Sequence, residues 1–268
     1  MSGFFNRQMR AITRACILAC GIAAACLPVG AFGATIARWN FNTALGVDNA
    51  PAPSTGSGSA TPVGMNGGAN NADIFAATGN PPSTDAGLPN YSWRVRGSQS
   101  NGWSGTVQLL SGAQFNVSTV GQSNIVASFE LHATDGSARH GQFQYTIDGT
   151  NFTSFGPVLD FNPTFDGFTP LSFDLSSIPA VNNNAQFGFK LVSAFSPTAF
   201  TNANGLQPAN TAFQRASAGT QVYTGGAGNW RFDLVTVSAV PEPTSLVIAG
   251  IAALGLAVAS SRRRTAVC

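Results

Sequence analysis

Residues 125–133 read Ile-Val-Ala-Ser-Phe-Glu-Leu-His-Ala, and this stretch decides the fold class. Its odd-numbered positions are all apolar, whereas Ser128, Glu130 and His132 stand between them. An alternation with a period of two places the apolar side chains on one face of an extended strand. Strands that bury one face and expose a polar one are typical of antiparallel sheets. The stretch therefore predicts an antiparallel strand whose odd-numbered side chains face the core.

The same alternation recurs on both sides of this strand. The inward positions that we predict are Trp39 and Phe41; Tyr91, Trp93 and Val95; Phe143, Tyr145 and Ile147; Leu171, Phe173 and Leu175; Phe187, Phe189 and Leu191; and Trp230, Phe232 and Leu234. Weaker candidates at residues 107–110 and 115–117 bring the total to about eight to ten strands. Asp148-Gly149 is a hairpin-turn signal. This number of short strands predicts an all-β fold, a two-sheet antiparallel β-sandwich with jelly-roll-like topology.

The basic residues of the chain are concentrated in its ends. The 268 residues carry a formal net charge of +2. Residues 34–239 contain seven basic and ten acidic side chains, so the net charge of this body is −3, seven minus ten. Because the body has no cluster of Lys and Arg, we expect no nucleic-acid partner. All four cysteines (Cys16, Cys20, Cys26 and Cys268) lie outside it, which excludes disulfides and cysteine ligands there.

The first 33 residues have the layout of a secretory signal peptide. Three arginines, the last of them Arg14, precede an apolar run over residues 15–29 that ends in small residues. We expect signal peptidase to cleave after Gly33. The alternatives are a signal anchor that is never cut and a lipoprotein with Cys20 as the lipidated residue.

The last thirty residues combine three features in a fixed order. The tetrapeptide Val240-Pro241-Glu242-Pro243 comes first, an apolar stretch over residues 246–259 follows, and Arg262-Arg263-Arg264 closes the series. As a helix, residues 244–261 would be about 27 Å long, against a hydrocarbon core of about 30 Å, so we predict a single short transmembrane helix. The three arginines favour the cytoplasmic side, which places the body outside. The two prolines hold the glutamate between them extended and open to a processing enzyme.

This order of motif, spacer, apolar segment and basic end resembles the PEP-CTERM sorting signal of exopolysaccharide-producing Gram-negative bacteria. The resemblance implies that an exosortase, an integral-membrane transpeptidase, processes the chain at or near Pro241–Pro243. It also implies an exported precursor anchored in the inner membrane, which then reaches the periplasm, the cell surface or an extracellular matrix of exopolysaccharide or biofilm. On composition alone, an ordinary tail anchor is the alternative interpretation.

These boundaries divide the chain into three parts. They are a signal peptide at 1–33, a β-sandwich domain at 34–238 and a sorting and anchor segment at 239–268. Residues 43–89 are rich in Gly, Pro, Ala and Asn and predict one long loop, parts of which we expect to be poorly ordered. A second stretch of this kind, residues 199–228, also carries aromatic side chains.

Two groups of residues are candidates for catalysis. Glu130, His132 and His140 have the side chains of a zinc site or an acid–base pair, and the alternative is a solvated sheet face. Asp160, Asp166 and Asp174 are the carboxylates nearest to a glycosidase pair, and the alternative is local bonding in turns. The body has no Gly-x-Ser-x-Gly elbow and no phosphate-binding loop. We therefore predict that the protein is not an enzyme and has no catalytic residues.

The last predicted strand, residues 230–237, resembles the final strand of jelly-roll carbohydrate-binding modules. That resemblance implies a candidate calcium site at Asp233 together with Asn40 or Asn42, since calcium takes oxygen ligands. The alternative is an outward-facing Asp233 partnered by Arg231 or by a neighbouring residue. No other cofactor is expected.

Trp103 is the candidate for a glycan contact, because glycines surround it in Ser100-Asn101-Gly102-Trp103-Ser104-Gly105 and no strand alternation assigns it to the core. Core packing is the alternative. Our first functional hypothesis is an exported, non-enzymatic surface or matrix protein. The second is a glycan-binding, calcium-dependent module that uses Trp103 and the loops, and the third is an unrecognised hydrolase.

Overall fold

The computed structural model of the protein describes residues 33–65, 72–96, 102–161, 167–217, 219–226 and 228–239. The predictions that lie outside the described residues are the signal peptide, the sorting motif at Val240, Pro241, Glu242 and Pro243, the transmembrane segment, and Arg262, Arg263 and Arg264. In the described part of the chain, no helix is long and apolar enough to span a membrane.

Two antiparallel sheets make up the body. Sheet A contains β1 (Ala34–Trp39), β2 (Gly46–Val47), β3 (Thr55–Gly56), β5 (Ala72–Ala76), β6 (Tyr91–Val95), β8 (Ile125–Ala133), β12 (Thr169–Asp174) and β16 (Trp230–Ala239). Sheet B contains β4 (Ser59–Val63), β7 (Gly112–Asn116), β9 (His140–Thr146), β10 (Phe152–Ser154), β11 (Leu159–Asp160) and β13 (Gly188–Ala194). A separate hairpin consists of β14 (Phe200–Asn202) and β15 (Gly205–Gln207), and Pro179–Val181 form one 3-10 turn. The predicted all-β, two-sheet antiparallel sandwich is therefore confirmed.

Strand order places the longest strands at the centre of each sheet. Sheet A runs β12-β8-β16-β6-β5-β2, with β1 paired to both β16 and β3. Sheet B runs β10-β9-β13-β7-β4, with β11 also on β9. Neighbours such as β8 and β16, or β7 and β13, are far apart in the chain, so both sheets depend on long-range pairing.

Aromatic rings fill the space between the two sheets. Phe115 of sheet B lies 5.4 Å from Trp39, 5.8 Å from Trp93 and 5.9 Å from Phe232, all of sheet A, measured between ring centroids. All four side chains are fully buried. Burial of a large apolar side chain contributes about 1.5–3 kcal/mol and each aromatic pair about 0.5–1.5 kcal/mol more, so these contacts hold the sheets together without disulfides.

The local signals for individual strands agree with the structure in most places. Strand β8 covers the predicted residues 125–133 and its odd-numbered side chains are buried. At the predicted hairpin, Gly149 has φ +76° and Oδ1 of Asp148 accepts hydrogen bonds from the backbone N–H groups of Thr150 and Asn151. Two expectations are wrong: residues 107–110 form a turn and a bend instead of a strand, and Ile147, expected to face inward, lies beyond the end of β9 and is 43% exposed.

The interval 43–89 is not one long loop. It contributes β2, β3, β4 and β5, and residues 66–71 within it lie outside the described part of the chain. Buried indoles anchor the remainder: Nε1 of Trp39 donates to the carbonyl of Pro51 at 2.9 Å, and Nε1 of Trp93 donates to that of Asp48 at 2.8 Å. Buried donors need partners, and these loop carbonyls supply them.

Strand β16 contains a bulge that the periodicity did not reveal. Its pairing with β8 shifts between Asp233 and Thr236, and Leu234 has φ +49°. The expected inward position of Leu234 is therefore wrong, and Val235 takes it, packed opposite Trp39. A bulge adds one residue to a strand and turns every later side chain to the other face.

Candidate functional site

A segment of residues 77–90, which we call the strap, crosses the outer face of sheet A. The hydroxyl of Ser83 donates to Oδ2 of Asp233 at 2.5 Å. The backbone N–H of Thr84 donates to Oε2 of Glu130 at 2.9 Å, and the Thr84 hydroxyl donates to Oε1 of the same carboxylate. Arg231 donates to the carbonyl of Thr78. The strap therefore covers side chains that the alternation of β8 and β16 points away from the core.

This cover changes the interpretation of Glu130 and His132. They lie on the same outward face, as predicted, but they are 6% and 4% exposed rather than solvated. His132 packs edge-on against Phe168, with 5.4 Å between ring centroids. His140 belongs to β9, on the outer face of sheet B, where burial lowers its pKa to about 4. The three side chains are thus on opposite sides of the sandwich and form no common site.

The predicted carboxylate group is also dispersed. Asp160 forms an ion pair with Arg139, with 2.7 Å between Oδ2 and Nη2. The side chain of Ser176 and its backbone N–H, which donates to Asp174 at 2.9 Å, hold the pKa of the Asp174 carboxyl below its usual value. Asp166 lies outside the described residues. Turn bonding and ion pairing account for the two aspartates that the structure describes.

Asp233 is a fully buried acid on strand β16. Its carboxylate is 0% exposed and accepts a second hydrogen bond from the backbone N–H of Leu234 at 2.7 Å. Burial raises the pKa of Asp233 to about 7, against the lowering effect of its hydrogen bonds, and the negative charges of Asp85 and Glu130 raise it further. Desolvation and like charges both disfavour the ionised form. The strap thus brings Asp85 close to Glu130 and Asp233, and Arg38 lies 3.9 Å from Asp85.

The predicted calcium ligands do not assemble as a set. Asn42 donates from Nδ2 to Asp85 at 2.8 Å and accepts from the backbone N–H of Tyr91, while Oδ1 of Asn40 accepts from the backbone N–H of Asn42 at 3.5 Å. Among the residues that the structure describes, no group of three or more His, Cys, Asp or Glu side chains is arranged to hold a metal ion. The oxygen donors near Asp233 are of the kind that calcium prefers, but the asparagines serve the strap instead. The partners of Asp233 are the Ser83 hydroxyl and the backbone N–H of its neighbour Leu234, as the alternative of a neighbouring partner expected.

The structure corrects the glycan-contact hypothesis for Trp103. The side chain is 1% exposed and packs against Trp230 at a centroid distance of 4.7 Å. Its backbone N–H donates to the carbonyl of Gly225 at 3.1 Å. A sugar needs an open ring face on which to stack, and the ring of Trp103 is enclosed. Glycines around a tryptophan indicated exposure, but the segment after residue 219 returns to cover it.

A cavity of about 280 Å³ lies among the loops at residues 105–106 and 195–223. Its lining includes Phe195, Asn202, Gln207, Phe213 and Tyr223. Our sequence reasoning missed this cavity. The signal that could have found it is the presence of aromatic and amide side chains in the Gly/Asn-rich stretch 199–228, where a plain surface loop has no need of large rings.

Comparison with known proteins identifies the C-terminal segment. Residues 239–264 match the model of the PEP-CTERM protein-sorting motif, the segment already described from its Pro-Glu-Pro and basic end. No curated protein matches the chain.

Several solved structures align with this chain at low identity and low TM-score. The CBM22-1 xylan-binding domain from Paenibacillus barcinonensis Xyn10C is 12% identical with a TM-score of 0.40, over 78% of this chain and 97% of that one. The Stig cyclase Fisc from Fischerella sp. TAU is 13% identical with a TM-score of 0.38, over 78% and 99%. The xylan-binding module CBM15 is 12% identical with a TM-score of 0.32, over 68% and 97%. Because these identities and TM-scores are low, the fold is assigned from the strand pairing of the two sheets and not from these matches.

Residues 239–264 carry the PEP-CTERM sorting motif, and this marks the chain as an exported, cell-surface-directed protein sorted by an exosortase.

Proposed function

We propose that the body acts after sorting as a non-enzymatic surface or matrix protein that is retained with exopolysaccharide. The observation that carries this proposal is the sorting motif at residues 239–264, on a chain that also begins with the layout of a signal peptide. In this scheme the precursor is held in the inner membrane by the apolar segment, and processing at or near Pro241–Pro243 frees the sandwich.

The surface chemistry of the sandwich supports this role. Charged residues make up only 9% of the chain, and several of those in the body form ion pairs, such as Arg94 with Asp73 and Arg139 with Asp160. The outer face of sheet B instead presents amides that bond to each other, for example Gln114 to Asn116 at 3.0 Å. A weakly charged, amide-rich exterior suits a hydrated polysaccharide, because amides both donate and accept hydrogen bonds as hydroxyls do.

The dispersal of the candidate catalytic groups also supports a non-enzymatic role. Catalysis by an acid–base pair needs both groups within reach of one reacting atom. Glu130 is bonded to the strap, and His140 lies on the other side of the sandwich. These groups serve the fold.

Intact mass and fractionation test the proposal. In a producing host that has an exosortase, we expect the protein in the exopolysaccharide fraction to end near Pro241–Pro243. The matched variants are Glu242→Ala, which alters the motif, and Glu130→Ala, the other glutamate of the chain, which leaves the motif intact. Only the first should leave a membrane-bound chain. If the wild-type protein keeps Arg264 and stays in the membrane fraction, the tail acts as a plain membrane anchor and the proposed processing is contradicted.

A further inference from the structure

The cavity at residues 105–106 and 195–223 has an uncharged lining. None of the described residues that line it is Asp, Glu, Lys or Arg. Aromatic side chains form one part of the lining and amide or hydroxyl side chains form the other. A cavity of about 280 Å³ is near the lower end of the range for small-ligand sites. Its lining therefore favours a small neutral ligand over an ion.

The aromatic part of the lining is a rigid series of three rings. Phe195 and Phe213 pack edge-on with 4.8 Å between centroids, and Phe213 contacts Tyr223 at 4.9 Å. Phe213 and Tyr223 are buried, whereas Phe195 is half-buried. Buried rings cannot rotate away, so they offer a fixed apolar surface.

The amide part is equally well fixed. Oδ1 of Asn202 accepts from the backbone N–H of Asn204 at 2.8 Å and from Nε2 of Gln207 at 3.4 Å. The backbone N–H of Ala203 donates to the carbonyl of Thr220 at 2.6 Å, which ties the β14–β15 hairpin to the segment that carries Tyr223. In the described part of the chain, these bonds use neither Nδ2 of Asn202 nor Oε1 of Gln207. One donor and one acceptor are therefore oriented and still available.

The hydroxyl of Tyr223 is the most informative atom. It is buried, and no group in the described part of the chain forms a hydrogen bond with it. Burial also raises the pKa of this phenol, so it remains a neutral donor across the physiological range. Buried polar atoms in folded proteins almost always have a partner, and one without a protein partner beside a cavity calls for a ligand or solvent group.

We infer that this cavity binds one neutral sugar unit of an extracellular polysaccharide. The half-buried ring of Phe195, held in place by Phe213 and Tyr223, contacts the apolar face of the sugar, and the free amide atoms and the Tyr223 hydroxyl bond to its hydroxyls. Hydroxyls match this lining because they donate and accept at once, as amides do. An aliphatic ligand would leave Asn202 and Gln207 desolvated without partners, and an acidic sugar would find no cation.

This inference rests on the proposed function, because the cavity would supply the contact that retains the sorted body in the matrix. The test is isothermal titration calorimetry on the mature protein from culture. The probes are cellohexaose, mannohexaose, maltohexaose and oligosaccharides sheared from the host's own exopolysaccharide, with trigalacturonate as the charged comparison. We expect at least one neutral probe to bind, and we expect trigalacturonate to bind no more tightly than that probe.

Two variants locate the site. Tyr223→Phe removes only the hydroxyl, and Asn202→Asp keeps the oxygen that bonds Asn204 but removes the Nδ2 donor. Each should weaken binding about 2- to 10-fold with the unfolding transition retained. Tyr145→Phe, a half-buried tyrosine of sheet B, is the control and should bind as the wild type does.

The inference is overturned if no probe binds, if both variants bind normally, or if Tyr145→Phe weakens binding as much as Tyr223→Phe. A protein that is processed and recovered with exopolysaccharide but binds none of the probes would contradict the sugar site and leave the proposed function intact. A protein that binds a probe but stays in the membrane would support the sugar site and contradict the proposed function.

Discussion

Replacing Asp233 by Asn should change how the stability of the sandwich depends on pH. The carboxyl group has an ordinary pKa of 3.8 and a folded-state pKa of about 7. Between these values the folded protein holds a proton that the unfolded chain has lost, so the free energy of unfolding falls as pH rises. One pKa unit corresponds to about 1.36 kcal/mol, so the contribution of Asp233 falls by at most about 4 kcal/mol between pH 4 and pH 7.

Asn is isosteric and stays neutral. Its Oδ1 can accept from the backbone N–H of Leu234, and its Nδ2 can donate to the Ser83 hydroxyl, which then acts as acceptor. The variant thus keeps both hydrogen bonds and avoids placing a third negative charge beside Asp85 and Glu130. Asp233→Asn should match the wild type near pH 4 and exceed its free energy of unfolding by up to about 4 kcal/mol at pH 8.

Urea unfolding followed by tryptophan emission measures this difference, because all four tryptophans are buried. Asp174→Asn is the control. Hydrogen bonds from Ser176 lower the pKa of Asp174, so the wild type gains stability from it as pH rises and the difference should have the opposite sign. Stability curves of wild type and Asp233→Asn that stay parallel from pH 4 to pH 8 would refute the reasoning. Adding calcium at pH 8 tests the metal hypothesis as well, since an ion bound at Asp233 would stabilise the wild type and not the variant.

Two further predictions concern the core and the cavity. Phe115→Ala removes the ring that joins Trp39, Trp93 and Phe232 across the sheets, and should lower the free energy of unfolding by about 3–5 kcal/mol in urea titrations; a loss below 1 kcal/mol would contradict the packing described. Without ligand, Tyr223→Phe should unfold at the same urea concentration as the wild type or a higher one, because the deleted hydroxyl is buried and has no hydrogen-bond partner among the residues that the structure describes. A clear loss of stability in that variant would show that the hydroxyl has a structural role.

Strand β8 and the hairpin at Asp148-Gly149 show what local patterns can predict. Apolar residues at every second position decide which face of a strand is buried, and a turn that needs a positive φ selects glycine at position 149. Both signals lie within a few residues of chain, so no knowledge of distant partners is needed. The same applies to the tail, whose motif, apolar stretch and basic end all lie within thirty residues of chain.

The sequence did not predict the surroundings of the candidate site residues, because segments far away in the chain determine those surroundings. Glu130 and His132 occupy the face that the alternation assigned to them, yet the strap covers that face. Trp103 stands among glycines but is enclosed by the chain near Gly225. Periodicity predicts which way a side chain points, and it contains no information on what will later lie across it.

The sequence by itself therefore determined the class of fold, the strand faces and the sorting signal, because each depends on residue types at short spacing. Only the tertiary structure decided that Asp233 is buried under Ser83, that Leu234 leaves the strand alternation at a bulge, and that Asn202 and Tyr223 meet at one cavity. Those outcomes depend on contacts between segments far apart in the chain. The free energy of such contacts comes from packing, burial and partner geometry, which exist only once the two sheets have closed on each other.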